Sequence, residues 1–410
     1  MRIKKTKYFL VVIIAVFNLV ESKCQKTLLP IYSNPMVFLD SLGNVVGTLP
    51  EGTKILNTTD GKHNKGYIHG LAGNTVSANT LIPAKDFNTG KISFYDKTGR
   101  FTLSYGDLFE AISPNKDGFH LAKRIDGKSR MLPKTYYNFL NKNGSRVFNY
   151  NGYEKADVFN EGYAAVKHRS RWFYINNQGD RFHLIDSTIT NIKDVSSFYD
   201  GLSKIKIRKG MCKYKEHFRY ILINKKGDVV LDTDDIFPNR FISQMGVMRD
   251  SISILSFFDD NCGIHWGEAA YIGIKGNIVA QFDSLERRKS FVDGYVPVII
   301  LKKENQRYVK GDGFIMDNDG ERISFGDNKK IYELSHIHKQ FYWVYIQDSI
   351  DSSRISGVFD ASKREFVYRN KHNIMGMKWD LISLYDSKNN RYYVVNYKTG
   401  ETVYDTDISK

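Results

Sequence analysis

From Phe159 to Phe182 the chain reads FNEGYAAVKHRSRWFYINNQGDRF, two short apolar and aromatic runs separated by polar turns. AAV and FYI within it, KIKI at Lys204–Ile207 and VPVII at Val296–Ile300 either alternate apolar with polar or stay β-branched and aromatic. A period of two belongs to strands packed on a core. The nearest approach to an amphipathic helix is DLFEAI, Asp107–Ile112, which amounts to one turn. The pattern predicts an all-β chain.

Two turn signals punctuate the strands. The first sets Phe, an acid and Gly before a strand: Phe159-Asn160-Glu161-Gly162-Tyr163, FYDGLSKI (Phe198–Ile205), FVDGYVPV (Phe291–Val298) and a weaker NKDGFHLA (Asn115–Ala122). The second ends a strand on an Asx-type turn closed by Gly. Its copies are FYDKTG (Phe94–Gly99), FLNKNG (Phe139–Gly144), YINNQG (Tyr174–Gly179), LINKKG (Leu222–Gly227), YIGIKG (Tyr271–Gly276) and IMDNDG (Ile315–Gly320). VFDASK (Val358–Lys363) and VNYKTG (Val395–Gly400) are degenerate copies. Asp or Asn supplies a side-chain acceptor for the turn, and Gly tolerates positive φ. Successive copies end 35 to 49 residues apart. Two independent signals sharing a period of about 44 residues mark tandem repeats. A unit of that length holds three or four short strands and cannot bury both faces alone, so the expected architecture is a β-propeller-like array or, alternatively, an open one.

These residues resemble the WG β-repeat of bacterial proteins, F-x-E-G-x-A-x-V followed by W-G-Y-I-[DN]-x-x-G. Phe159, Glu161, Gly162, Ala164 and Val166 match the first half, and Trp172, Tyr174, Ile175, Asn176 and Gly179 the second. Phe173 stands where the family has its second signature residue, Gly; ISGVFD (Ile355–Asp360) keeps the Gly and lacks the Trp. The resemblance covers a repeat domain of residues 90–405 and implies structural signature residues without catalytic ones. Residues 30–83 differ. VFLDSLGNVVGTLPEGTKI (Val37–Ile55) and GNTVSANTL (Gly73–Leu81) resemble a bacterial SH3-like module, a small β-barrel, with Thr75 where that family has an aromatic. The alternative is that FLDSLG (Phe38–Gly43) is a first, divergent repeat.

The amino terminus reads as a targeting segment. Arg2, Lys4, Lys5 and Lys7 precede the apolar run Tyr8–Val20, which is short for a bilayer span of about 20 residues. Residues 1–24 are therefore expected to be a signal peptide, cut after Ser22 or Cys24. An uncleaved anchor and lipidation at Cys24 are the alternatives, although Glu21 and Lys23 depart from a bacterial lipobox. Export directs attention to the periplasm, the outer membrane or the medium. Of the formal charge of +15, removal of residues 1–24 leaves +11. KIKIRKGMCKYK (Lys204–Lys215), LERRKS (Leu285–Ser290) and LKKENQR (Leu301–Arg307) are the densest basic runs, read as solvated strand faces or as steering for an anionic partner. An envelope protein or anionic glycan suits that compartment; no nucleic-acid motif is present. With 26 Tyr, 26 Phe, 32 Gly and only eight Pro, turns fall to Gly, Asn and Asp.

Candidate chemistry is sparse. No nucleophile elbow, zinc-protease helix, P-loop or paired-cysteine metal spacing occurs, so no catalytic residue, metal or cofactor is expected. His336 and His338 flank Ile337 and would share a strand face, two ligands of a zinc site that lacks a third. Asp317 and Asp319 resemble part of a calcium loop and read as a turn. Trp172, Trp266, Trp343 and Trp379 are candidates for sugar stacking or for core packing. Cys212 lies 15 residues before Gly227 and Cys262 lies 14 before Gly276, equivalent places in adjacent repeats. They are a candidate disulfide in an oxidising compartment. The expected function is a non-catalytic binding scaffold at the cell envelope; the alternative is an enzyme acting on an envelope polysaccharide or peptidoglycan in a cleft between repeats.

Overall fold

The computed structural model describes residues 27–407, except 32–35, 41, 43, 56–75, 78–80, 87, 107–108, 110, 114–115, 127–133, 150, 213–214, 259–267, 286–288, 305–306, 326–328, 349–353, 371–372, 379, 387 and 390. The predicted signal peptide lies outside the described residues. The chain is all-β, with one four-residue helix at Thr233–Ile236 among the described residues. It divides into two compact units, one of Asn151–Ile374 and one formed by Met1–Tyr150 with Met375–Lys410.

In the first of these units, strands pair antiparallel with their sequence neighbours in small meanders. Lys155–Ala156, Tyr163–His168, Arg171–Asn176 and Arg181–Phe182 form one sheet. Ile192–Val195, Leu202–Cys212, Lys215–Asn224 and Val229–Asp232 form the next. Ile242–Met245, Ile252–Phe257, Ala269–Gly273 and Ile278–Phe282 form a third, joined to the second through the pair Phe218–Ile242. Tyr295–Glu304, Arg307–Asp317 and Arg322–Ile323 follow. Lys329–His338, Phe341–Asp348, Arg354–Asp360 and Glu365–Asn370 complete the series.

The second and third sheets bury both faces against their neighbours in sequence. Ile205, Ile207, Ile221 and Ile223 of the second sheet pack on Ala165, Trp172 and Tyr174 of the first. On the opposite face, Leu202, Phe218, Tyr220 and Leu222 pack on Met245, Leu255, Phe257, Ala270 and Ile272 of the third. Ile252, Ile254 and Tyr271 of the third then meet Val296, Val298 and Phe314 of the fourth. This two-sided burial is why Ile252–Phe257 is buried at every position rather than at alternate ones.

The unit built from both chain ends has the same construction. Ala111–Ile112, Phe119–Asp126, Lys134–Asn141 and Arg146–Val147 form a sheet, as do Asn373–Lys378, Leu381–Asp386, Arg391–Asn396 and Thr402–Asp407. Val37 and Leu39 pack on Leu381 and Val394, so an amino-terminal strand shares a core with the last sheet. Thr53–Ile55 and Ile82–Asp86 pair with each other, and Ile82–Asp86 pairs with Ile92–Tyr95, so one sheet contains strands from residues 30–83 and from 90 onward. Asp40 accepts the amides of Leu42 and Asn44, each at 2.9 Å, as the Asx residues of the repeats do.

The two turn signals occupy fixed places in the meanders. The Asx turn leads into the last strand of a sheet: the side-chain oxygens of Asp96, Asn141, Asn176, Asn224, Asp317, Asp360 and Asn396 each accept an amide two residues on. The degenerate copies at Asp360 and Asn396 therefore make this contact too. The acid-Gly turn stands immediately before a strand, with two successive residues at positive φ as in a type I′ hairpin. These are Glu161 and Gly162 (53° and 84°), Asp200 and Gly201 (51° and 76°), Asp293 and Gly294 (51° and 85°), and Asp117 and Gly118 (49° and 89°). Asp250 and Ser251 (50° and 61°) form a further copy, which the sequence conceals by placing Ser where Gly is the cue.

These turns also tie one repeat to the next. The Glu161 carboxylate accepts the Gly201 amide at 3.0 Å, and Asp250 accepts the Gly294 amide at 2.9 Å, each reaching the corresponding turn one repeat later. Asn160 donates to the Phe198 carbonyl across the same junction. In the unit of both chain ends, His120 is fully buried, with Nδ1 donating to the Ser113 carbonyl at 2.9 Å and its ring edge-on to Phe94. Burial lowers its pKa to about 4.

Two outcomes follow from these contacts. Glu161→Ala removes a charged acceptor from a main-chain amide and should cost about 1–3 kcal/mol in urea unfolding, whereas Glu161→Gln should recover part of it. For His120 the folded-state value lies below the unfolded one, so the unfolded chain takes the proton first and stability is lost as pH falls from about 6.5 to about 4. Against His120→Leu, the wild-type chain should lose about 3 kcal/mol more between pH 7 and pH 4.

Candidate functional site

A cavity of about 390 Å³ opens within the Asn151–Ile374 unit where the first strands of three successive sheets come together. Ala156 and Asp157, then Asp194, Val195 and Ser196, then Ser243, Gln244 and Met245 line it, with Lys204, Lys206 and Tyr220 from the second and third strands of the middle sheet. Strand alternation explains the chemistry. In KIKI, Ile205 and Ile207 enter the core shared with the preceding sheet, which turns Lys204 and Lys206 to the other face.

Lys204 is held in place. Its Nζ donates to the carbonyls of Met245 at 2.7 Å and Gly246 at 3.2 Å, which spans to the next sheet and leaves one of three ammonium protons uncommitted. Desolvation lowers its pKa to about 8, against opposing pulls from Asp194 and Asp157. Lys206 lies directly across the strand pair from Asp194, yet its Nζ sits 3.7 Å from the Phe218 ring centroid. Desolvation lowers its pKa as well. Neither ammonium has a carboxylate within 4 Å among the described residues.

The acids serve other partners. Asp157 accepts the amides of Ser197 and Val158, each at 2.8 Å, and so pins the next repeat's first strand. Asp194 is largely exposed and 3.9 Å from Lys155. Burial pushes the Tyr220 phenol well above its ordinary range, leaving its hydroxyl a neutral donor directed at the Ser243 carbonyl.

The sequence-predicted residues fall elsewhere. Phe159, Trp172 and Tyr174 are buried, and Tyr174 donates to Ser203 Oγ at 2.7 Å. Glu161 and Gly162 make the linking turn; Asn176 and Gly179 (φ 88°) make the Asx turn. Trp343 donates to Ser356 Oγ at 3.1 Å, while Trp266 and Trp379 lie outside the described residues. Asp317 makes an Asx turn with Asp319 and Glu321. His336 has Nε2 at 2.7 Å from the Lys339 carbonyl, and a register shift separates it from His338, whose side chain lies outside the described residues. Cys212 ends a strand paired with Lys215; its side chain and all of Cys262 lie outside the described residues.

Sequence reading includes Lys204 and Lys206 only as part of a basic run. The alternation KIKIR is the signal that separates them from loop lysines, since its isoleucines must be buried and its lysines must then share one face. The cavity itself has no local signature, because its walls come from segments about 40 residues apart.

No family model matches the chain, and no curated protein does. Among solved structures it is similar to dihydro-heme d1 dehydrogenase NirN in complex with DHE, at 11% identity over 84% of this chain and 73% of that one, with a TM-score of 0.39. It is similar to apo AztD from Citrobacter koseri at 9% identity over 93% of this chain and 94% of that one, with a TM-score of 0.37. For the β-propeller domain of Cps50 (Swd1) from Myceliophteria thermophila the values are 9%, 75%, 88% and 0.28.

Lys204 gives a test of the cavity's electrostatics. Below pH 8 the ammonium is charged in folded and unfolded chains alike, and the burial cost is in force. Between about 8 and the unfolded value of about 10.5 only the folded chain gives up its proton, so stability rises with pH. Relative to Lys204→Met, the wild-type chain should gain about 2 kcal/mol between pH 8 and pH 10 in chemical denaturation.

Proposed function

We propose that the chain is an exported, non-catalytic binding scaffold of the bacterial envelope, built from WG-type repeats that act as blades of a β-propeller-like array, and that its partner is anionic. The observation that carries this reading is the pair of ammonium groups at one cavity, each withdrawn from bulk water and neither in an ion pair. An uncompensated cation in a desolvated place costs free energy that an anionic partner offsets. The repeats supply what such a site needs, since Lys204 is fixed by main-chain carbonyls of the next sheet rather than by a mobile loop. Asp157 supports binding over hydrolysis, because its two oxygens accept main-chain amides.

The test is retention on fractionated cell-envelope material and on immobilised anionic and neutral glycans. The expected result is retention on an anionic fraction that weakens steeply as salt is raised. Failure to bind any envelope or glycan fraction at low salt overturns the reading.

A further inference from the structure

We propose that the cavity between Asp157, Lys204, Lys206 and Gln244 is a binding site for an acidic sugar residue, a uronate, with its carboxylate at the two lysines and its hydroxyls along the acidic and amide wall. The inference rests on the binding-scaffold reading and deepens it by assigning the ligand class.

Three features point to this chemistry rather than to a bare anion. The first is the cationic pair itself. Lys204 and Lys206 stand two residues apart on one strand face, Lys204 with a proton left over from its two carbonyls and Lys206 resting on the Phe218 ring. A carboxylate accepts from two donors through its two oxygens, which suits two ammonium groups facing one space. The second feature is the polar remainder of the lining, where Asp194 beside Lys206 and Gln244 from the next sheet present acceptors and donors of the kind that sugar hydroxyls satisfy. A site made for sulfate or phosphate alone gains nothing from Asp194, which repels any anion, whereas a uronate also carries hydroxyls that can donate to it. The third is size: about 390 Å³ lies at the lower end of small-molecule sites, which run from about 300 to 1,000 Å³, and suits one or two sugar rings.

The surrounding charges keep the site net cationic without making it a general anion sink. Lys155, Lys193 and Arg208 lie near it, opposed by Asp157, Asp194 and Glu216. Lys155 is committed to the Lys193 carbonyl at 2.8 Å, and Lys193 and Arg208 both pair with Glu216. Lys155 also lies 3.9 Å from Asp194, which leaves Lys206 and the remaining proton of Lys204 as the cationic donors without a carboxylate partner among the described residues.

The experiment is calorimetric titration of the full chain with galacturonate and glucuronate, with galactose and sodium sulfate as the comparison probes. Uronate is expected to bind, galactose not measurably, and sulfate more weakly than uronate. Lys206→Met should raise the uronate Kd about tenfold or more without lowering the melting temperature. Uronate affinity should also fall as pH is raised from 7 to 9, as Lys204, which faces Lys206, Asp157 and Asp194, loses its proton; in a folded Lys204→Met chain that fall should be smaller. Equal binding of galactose, sulfate as tight as uronate, or full affinity in Lys206→Met each overturns the assignment. Retention on envelope material that survives Lys206→Met, in a chain that ignores uronate, overturns this site and leaves the scaffold reading standing. Uronate binding without retention on any envelope fraction overturns the scaffold reading and keeps the site.

Discussion

Two apolar faces on each small sheet are the constraint from which the rest of this structure follows. A four-stranded meander with Ile205, Ile207, Ile221 and Ile223 on one face and Phe218, Tyr220 and Leu222 on the other has no exposed side to offer water. It is stable only between two neighbours, and each neighbour has the same need. The hydrophobic effect therefore acts between repeats as much as within them. In the unit of both chain ends, the last sheet meets that need in part through Val37 and Leu39 from near the amino terminus.

Apolar packing sets the stacking but is weak at fixing register, because it has no direction. Hydrogen bonds across the junctions supply the direction. Glu161 and Asp250 reach the turn amide one repeat on, and Asp157 caps the amide of Ser197. Asp is a common choice at positive φ in such turns, but Glu at position 161 is an unfavourable one that a purely local account would not predict. Its placement makes sense once the next repeat's amide is counted as its partner.

The cavity arises where these two requirements leave room. The first strands of three sheets come together there with short side chains, Ala156, Ser196 and Ser243, while the alternation that buries Ile205 and Ile207 delivers two lysines to the same space. Their burial works against stability at neutral pH, as the binding role proposed for them would require.

Much of this was legible in the residues. Strand periodicity, the Asx turns and the recurrence of about 44 residues predict an all-β chain of small repeated sheets, because each depends on local stereochemistry that a short window contains. The repeat containing Asp250 was read from its YIGIKG segment, but its acid turn was hidden because Ser251 adopts a positive φ that sequence assigns by default to glycine. Trp172 and Phe159 drew attention as signature residues and proved to be core, since a recurring aromatic marks what every repeat must bury. The candidate site was not legible, because its walls come from segments about 40 residues apart and the withdrawal of Lys204 from water depends on carbonyls of Met245 and Gly246. Sequence by itself determined the strands, the turns and the need for neighbours, which follow from nearest-residue geometry and hydrophobicity. Tertiary structure alone decided which lysines are desolvated and what they face, because desolvation and distance between remote residues exist only once the sheets have packed.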